Sequence, residues 1–313
     1  MNTDRSVKVK DIVDKFQMEV IFEGKDYETE TLTITDVNRP GLQFIGFFDY
    51  FDPRRLQIIG KSETTFLKSF SSGERRKCFE DIFRHEIPAL VISRNLDVFP
   101  ECLEMAKKYG RTLLRTGHTS VEFTSMTIDY LNHELAPVIT RHGVLMDVYG
   151  EGVLILGDSG IGKSETAIEL IKRGHRLVAD DAVEIKRIGG TLFGTAPELI
   201  RNYLEVRGVG VIDVQKLFGM GAVQDSTQID LVIQFEKWVD DKYYDRLGLD
   251  ERFTSIMDVR VPMSVIPVSA GRNLAGIVEL AVMNNRQKKH GCNSAHDFVN
   301  QIDSYVDCHT PQD

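Results

Sequence analysis

Apolar positions along the first half of the chain change rhythm repeatedly. Short runs suited to strands occur at Glu19 to Phe22, Thr31 to Ile34, Leu42 to Phe48, Pro88 to Ser93 and Thr112 to Arg115. Between them, Ser72 to Arg84 and Pro100 to Tyr109 carry apolar residues at helical spacing. This alternation predicts a small α/β domain. Nothing in it names a ligand.

Met126, Ile128, Leu131 and Leu135 place a helix over Thr124 to Ala136, stopped by Pro137. A domain boundary is expected near Asn132, giving a 1–132 domain and a 133–313 domain. Two apolar runs follow, Val144 to Val148 and Val153 to Leu156, joined by Tyr149-Gly150-Glu151-Gly152, which reads as a β-hairpin. Its second strand runs straight into Gly157, and a helix is expected from Ser164 to Arg173 with Gly174 as its stop. An ordinary nucleotide-binding strand has parallel neighbours joined by helices, so arrival through a hairpin predicts an atypical nucleotide fold. Further on, Arg176 to Asp181 is a short strand ending in two carboxylates. Gly219 and Gly221 suggest a mobile loop, Ile229 to Phe235 alternates as a half-buried strand, and Glu236 to Asp241 reads as a solvated charged face.

Length and composition narrow the classes. With 313 residues, 42% hydrophobic and 27% charged, the chain has room for two ordinary globular domains. A formal charge of −9 argues against a general nucleic-acid surface and requires any anion site to be local. Apolar runs are too short for a membrane span, and Met1-Asn2-Thr3-Asp4-Arg5 lacks the apolar core of a signal peptide, so a cytoplasmic protein is expected. Cys78, Cys102, Cys292 and Cys308 are widely spaced with no metal-binding pattern and are expected as free thiols.

The chemistry concentrates after residue 140. Gly157-Asp158-Ser159-Gly160-Ile161-Gly162-Lys163-Ser164 is a P-loop: glycines let backbone N–H groups turn onto phosphate oxygens, Lys163 adds a point charge, and the Ser164 hydroxyl suits Mg²⁺. A chance match of this motif in a chain of this length is on the order of one per cent. The Asp180-Asp181 pair has Walker-B character and could hold Mg²⁺ through water or accept a proton from an attacking hydroxyl; spacing does not say which aspartate is the base. His142 precedes the hairpin and on sequence alone reads as a surface histidine. Within Leu204-Glu205-Val206-Arg207-Gly208-Val209-Gly210-Val211-Ile212-Asp213, Glu205 could reach a metal and Arg207 a phosphate, or the two could form a buried ion pair bracing the turn at Gly208 and Gly210. Arg246 is left unassigned by sequence alone.

The P-loop and the stretch from Leu204 to Asp213 together resemble the bacterial HPr kinase/phosphorylase family, over nearly the full length of the chain. The resemblance implies an enzyme that uses ATP and Mg²⁺ to phosphorylate a serine of HPr, the phosphocarrier of the sugar phosphotransferase system. The same enzyme removes that phosphate with inorganic phosphate, giving pyrophosphate, and so controls carbon catabolite repression. It further implies an N-terminal domain similar to one in Mur ligases, a C-terminal domain similar to the phosphoenolpyruvate carboxykinase core, and a homo-oligomer, a hexamer. By resemblance, Ser164 and Glu205 sit on Mg²⁺, Asp181 is the acid/base, and His142 and Arg246 belong to the active site. The family's P-V-R-P-G-R-N loop appears here as Pro267-Val268-Ser269-Ala270-Gly271-Arg272-Asn273, which leaves Arg272, beside Gly271, as the cation expected to serve dephosphorylation. A small-molecule carboxykinase would be a longer chain. A nucleotide-dependent sensor is the other competing reading, and the chain has no guanine-reading N-K-x-D motif to make it a GTPase switch.

Overall fold

The computed structural model describes residues 5–239, 242, 249–269 and 271–309. It is an α/β protein of two compact units, Met1–Pro137 and Val138–Asp313.

In the first unit four strands run parallel in the order Val37–Asn38, Leu56–Ile59, Ala89–Ile92, Thr112–Arg115, and Glu19–Phe22 adds an antiparallel edge. Successive residues of the central strands feed opposite faces. Ile58, Val91 and Leu114 pack under the helices Val9–Phe16 and Ser120–Glu134, while Ile59, Leu90, Ile92 and Leu113 pack under Ser72–Phe83 and Pro100–Tyr109. Helix starts follow their caps. Ser71 accepts from the Glu74 N–H while Glu74 returns a bond to the Ser71 N–H, and Thr119 and Glu122 repeat the arrangement. That second box starts the helix at Ser120, four residues before the position expected from apolar spacing.

One expectation fails in this unit, and one strand is added. Leu42 to Phe48 is not a strand. A 3₁₀ turn at Gln43–Ile45 ends on Gly46 at φ 86°, so Phe44 is driven into the core, edge-on to Phe79, and Phe48 packs against it half-buried, while Leu42, Ile45 and Phe47 stay exposed. Leu56–Ile59, interrupted by a glutamine, was not expected as a strand. Gln57 is fully buried there because Asn38 donates to it and it donates to the Arg55 carbonyl, both at 2.7 Å.

The second unit is organised on one long strand, Ser226–Lys237. Its first residues pair antiparallel with Thr191–Thr195, its second half pairs parallel with Val259–Val268, and along its other edge it runs parallel to Glu151–Leu156. Consecutive Leu231, Val232 and Ile233 are all buried, because both faces of this strand meet a core. The expected half-buried strand is therefore a central one. Val144–Val148 and Glu151–Leu156 form the expected hairpin, with a tighter two-residue turn in which Tyr149 and Gly150 both take positive φ. Gly152 lies in the strand rather than the turn, since a Cβ there would come within 1.7 Å of the Gln228 carbonyl oxygen. Gly219 and Gly221, expected in a mobile loop, bound a short ordered segment: Gly219 ends the helix Val214–Phe218 and Gly221 lies in a 3₁₀ turn. Among the described residues no helix is long and apolar enough to cross a membrane, and Cys78, Cys102 and Cys292 are free.

Arg75 and Glu101 form a largely buried ion pair at 2.9 Å between two helices of the first unit, and the hydrogen bond from Arg75 holds the Glu101 carboxyl down to about 2. A depressed carboxyl stabilises the fold above its unfolded value of 4.5, and that contribution is lost as pH falls toward about 2. Glu101→Gln should therefore lower the thermal midpoint at pH 7, and the gap from the parent should close on acidification from pH 5 to pH 2. A gap that stays constant with pH would show that the pair contributes no proton-linked stability.

Candidate active site

The P-loop occupies the turn between Glu151–Leu156 and the helix Lys163–Lys172. Gly157 takes φ 149° and Gly162 φ 103°, and a Cβ on Gly157 would meet the Phe235 carbonyl oxygen at 2.7 Å, an atom of the central strand that cannot give way. The Lys163 amine is buried and donates to the carbonyls of Gly157 and Asp158 at 2.8 and 3.0 Å. Among the described residues no carboxylate forms a salt bridge with it. A buried cation held only by its own loop's carbonyls is suited to an incoming anion.

Two chain segments cross beside this loop. Val138–His142 passes through Gly143 into Val144–Val148, and Arg176–Ala179 passes through Asp180-Asp181 into Ala182–Ile188. Both go from one arm of the sheet to the other at the same point, where the Gly143 N–H donates to the Asp181 carbonyl and Ala182 pairs with His142. A Cβ on Gly143 would meet the Ile155 carbonyl oxygen at 2.8 Å. The crossing turns Asp180 and Asp181 in opposite senses. Asp180 is buried; its carboxylate accepts from the Ser164 hydroxyl at 3.1 Å and from the Glu205 N–H at 3.1 Å, and burial pushes its carboxyl above the usual range. Asp181, at φ 67°, is exposed and pairs through Oδ1 with His142 Nδ1 at 3.0 Å.

Tyr203–Val206 and Gly210–Asp213 form a separate antiparallel hairpin whose Leu204, Val206 and Ile212 pack into the core. Glu205 and Arg207 are exposed, which excludes the buried ion pair that apolar surroundings suggested: strand alternation sends the neighbours inward and these two outward. Arg207 lies across the P-loop, donating to Ser159 Oγ at 3.1 Å, with its guanidinium 2.5 Å from where a Gly160 Cβ would stand. Gly208 and Gly210 shape the hairpin turn at φ 84° and 101°.

One open cleft is lined by His142, Ser159, Gly160, Gly162, Lys163, Ser164, Glu165, Asp180, Asp181, Glu205 and Arg207. The structure thus brings together residues spread over more than sixty positions of sequence, and adds Glu165, which helical reasoning passed over although it directly follows the P-loop serine. Gly157, Asp158 and Ile161 do not line the cleft: the first two accept from Lys163 through their carbonyls, and Ile161 packs into the core. Gly271 and Arg272 are not in the cleft: Arg272 donates to the Pro267 carbonyl at 2.6 Å and lines a separate cavity of about 720 Å³ with Phe253 and Ile277. Arg246 lies outside the described residues, as do Asp240, Asp241 and Ala270. For a divalent cation, the donors that converge are the oxygens of Ser164, Asp180 and Glu205, with Asp180 bonded both to the Ser164 hydroxyl and to the Glu205 backbone. Among the described residues no group of three or more His, Cys, Asp or Glu side chains is clustered so as to hold a metal ion by itself. A hard oxygen set of few protein ligands fits Mg²⁺, which takes its remaining ligands from water and phosphates.

Comparison with known proteins covers both units. Residues 133–302 match the HPr Serine kinase C-terminal domain and residues 7–131 the HPr Serine kinase N terminus. The chain is 52% identical to the HPr kinase/phosphorylase of Caldanaerobacter subterraneus subsp. tengcongensis over 95% of its length and 97% of that protein. It is 51% identical to that of Thermoanaerobacter sp. strain X514 over the same shares. A solved structure of the Hpr(Ser) kinase/phosphatase from Coxiella burnetii, 36% identical, covers 49% of this chain and 99% of that one at a TM-score of 0.46.

Gly157→Ala tests the loop directly. The added methyl group faces a backbone oxygen of the central strand, so the P-loop has to move while the rest of the unit stays folded. Calorimetric titration with ATP should show affinity weakened at least about tenfold, or ~1.4 kcal/mol, with an unchanged far-UV spectrum. Undiminished affinity would contradict the anion cradle.

Proposed function

The chain belongs to the HPr serine kinase family, and from that membership and the cleft we propose that it phosphorylates a serine of HPr with ATP and reverses the reaction by phosphorolysis. The observation that carries this reading is the meeting, in one cleft, of the Lys163 anion cradle with the exposed His142–Asp181 pair. One element holds phosphate and the other handles a proton.

In the forward direction the backbone N–H groups of Gly160 and Gly162 and the Lys163 amine bind the nucleotide phosphates at the positive end of the Lys163–Lys172 helix. His142 holds one oxygen of Asp181 and leaves the other free toward the cleft. Asp181 accepts the serine proton as the serine oxygen attacks the terminal phosphorus and ADP leaves. In reverse, inorganic phosphate lies in the cradle that held the nucleotide phosphates. Its oxygen attacks the phosphoserine phosphorus, Asp181 returns the proton to the departing serine oxygen, and pyrophosphate is released. Ser164 and Glu205, with Asp180 behind them, would hold Mg²⁺, which would supply charge neutralisation for the phosphate oxygens. Arg207, already lying over the loop, adds a planar donor to phosphate oxygens. The two aspartates divide the work by environment: burial commits Asp180 to holding Ser164 and the Glu205 backbone, and exposure leaves Asp181 for the proton.

Purified protein with HPr, ATP and Mg²⁺ should yield phosphoserine. Lys163→Ala should reduce that rate at least about 10²-fold, the scale of losing a preorganised charge at the reacting phosphoryl group. Asp181→Asn should depress phosphorylation and phosphorolysis together by roughly 10²-fold or more. A loss confined to one direction in the Asp181 variant would show that the two directions do not share an acid/base.

A further inference from the structure

We propose that the outward face of the Tyr203–Asp213 hairpin is a docking platform for the protein carrying the acceptor serine, and that it grips apolar side chains next to that serine. The inference rests on the kinase/phosphorylase reading above and concerns how the protein substrate is recognised.

A two-stranded ribbon lying on a core alternates apolar residues inward with polar residues outward. Here the inward positions obey the rule with Leu204, Val206 and Ile212, but the outward face does not. Val211 stands directly opposite Glu205 in the strand register, on the same face, and is 68% exposed; Val209, at the turn, is 74% exposed. Single exposed valines are ordinary on protein surfaces. These two adjoin, on one small ribbon, the Glu205 and Arg207 side chains that line the cleft. Gly208 and Gly210 have open space where a side chain would be, so the ribbon's tip is low, bare and apolar.

Two of the charges on this face are satisfied from within, and the third, Glu205, lines the cleft. Arg207 donates to Ser159, and Asp213 caps the following helix at the Lys216 N–H while pairing with the Lys216 amine at 2.9 Å. That leaves the valines as the contact chemistry, and an apolar patch as their complement. Nucleotide phosphates end in the P-loop. A small acceptor would finish inside the cleft and never cover Val209 and Val211. A serine on the surface of a folded protein that reaches Asp181 brings the surface around it over the mouth of the cleft, where Glu205 adjoins Val211. The occupant is therefore a protein whose phosphorylated serine is flanked by exposed apolar residues.

The test is steady-state kinetics of the full chain with HPr and ATP, comparing the parent, the double variant Val209→Ser/Val211→Ser, and Val211→Ile. Sedimentation velocity and a thermal melt are run on each preparation. Truncating two valines at a protein contact should raise KM for HPr at least about fivefold. The kcat at saturating HPr and KM for ATP should stay within about twofold, the assembly mass should not change, and Val211→Ile should keep the parental KM. An unchanged KM for HPr in a folded double variant overturns the platform. So does a fall in assembly mass, which would assign the valines to a contact between copies of this chain. A parent that does not phosphorylate HPr at all overturns the functional reading, and the platform with it.

Discussion

A single buried carboxylate ties the site together. Asp180 accepts from the hydroxyl of Ser164 on the P-loop helix and from the backbone N–H of Glu205 on the hairpin, and it does so from the end of a third element, the strand Arg176–Ala179. Burial makes its charge costly, which its raised carboxyl pKa reflects. Those two donors offset part of that cost, and they lock together, at the cleft, three pieces of chain that also pack into one hydrophobic core. Phosphate cradle, candidate metal ligand and overlying Arg207 inherit their relative positions from it.

The exposed half of the acidic pair depends on a different constraint. Where the two arms of the sheet meet, two segments must change arms side by side, and there is room only for glycine on one of them, Gly143 against the Ile155 carbonyl. On the other, Asp181 takes the left-handed conformation, an arrangement that costs a non-glycine residue on the order of 1 kcal/mol or more. Its carboxylate then points outward to His142 instead of following Asp180 into the core. Local strain at this position is thus linked to the opposite placement of adjacent, chemically identical side chains.

How legible this was in sequence depended on whether the signal was local. The P-loop is a continuous octapeptide with its strand before it and its helix after it, so Gly157 to Ser164 could be read in place. The hairpin before it could be read as well, from Tyr149-Gly150. His142 could not be placed without the resemblance, because its meeting with Asp181 rests on the Ala182–His142 pairing across nearly forty residues. The exposure of Glu205 and Arg207 is not legible in sequence, where both outward contacts and a buried ion pair stay open, since apolar density along a short ribbon does not reveal that only alternate residues face the core. Leu42 to Phe48 failed similarly: hydrophobicity marked a strand, while Pro40, Gly41 and Gly46 had already broken the extended backbone. Arg272 shows the opposite limit. Its motif suggested phosphate handling, whereas the structure places its guanidinium on the Pro267 carbonyl, away from the cleft. Its loop still reaches the site indirectly, because Leu274, which begins the next helix, packs 3.7 Å from the position of a Gly162 Cβ.

In the proposed reaction one phosphate cradle serves both directions, with inorganic phosphate as the attacking group in reverse. Phosphorus-31 NMR of serine-phosphorylated HPr incubated with the protein, Mg²⁺ and inorganic phosphate, with no nucleotide added, tests this most directly. Pyrophosphate should accumulate as the phosphoserine signal falls, at a rate that depends on added phosphate. Loss of phosphoserine that yields orthophosphate alone, at a rate indifferent to added phosphate, would contradict it.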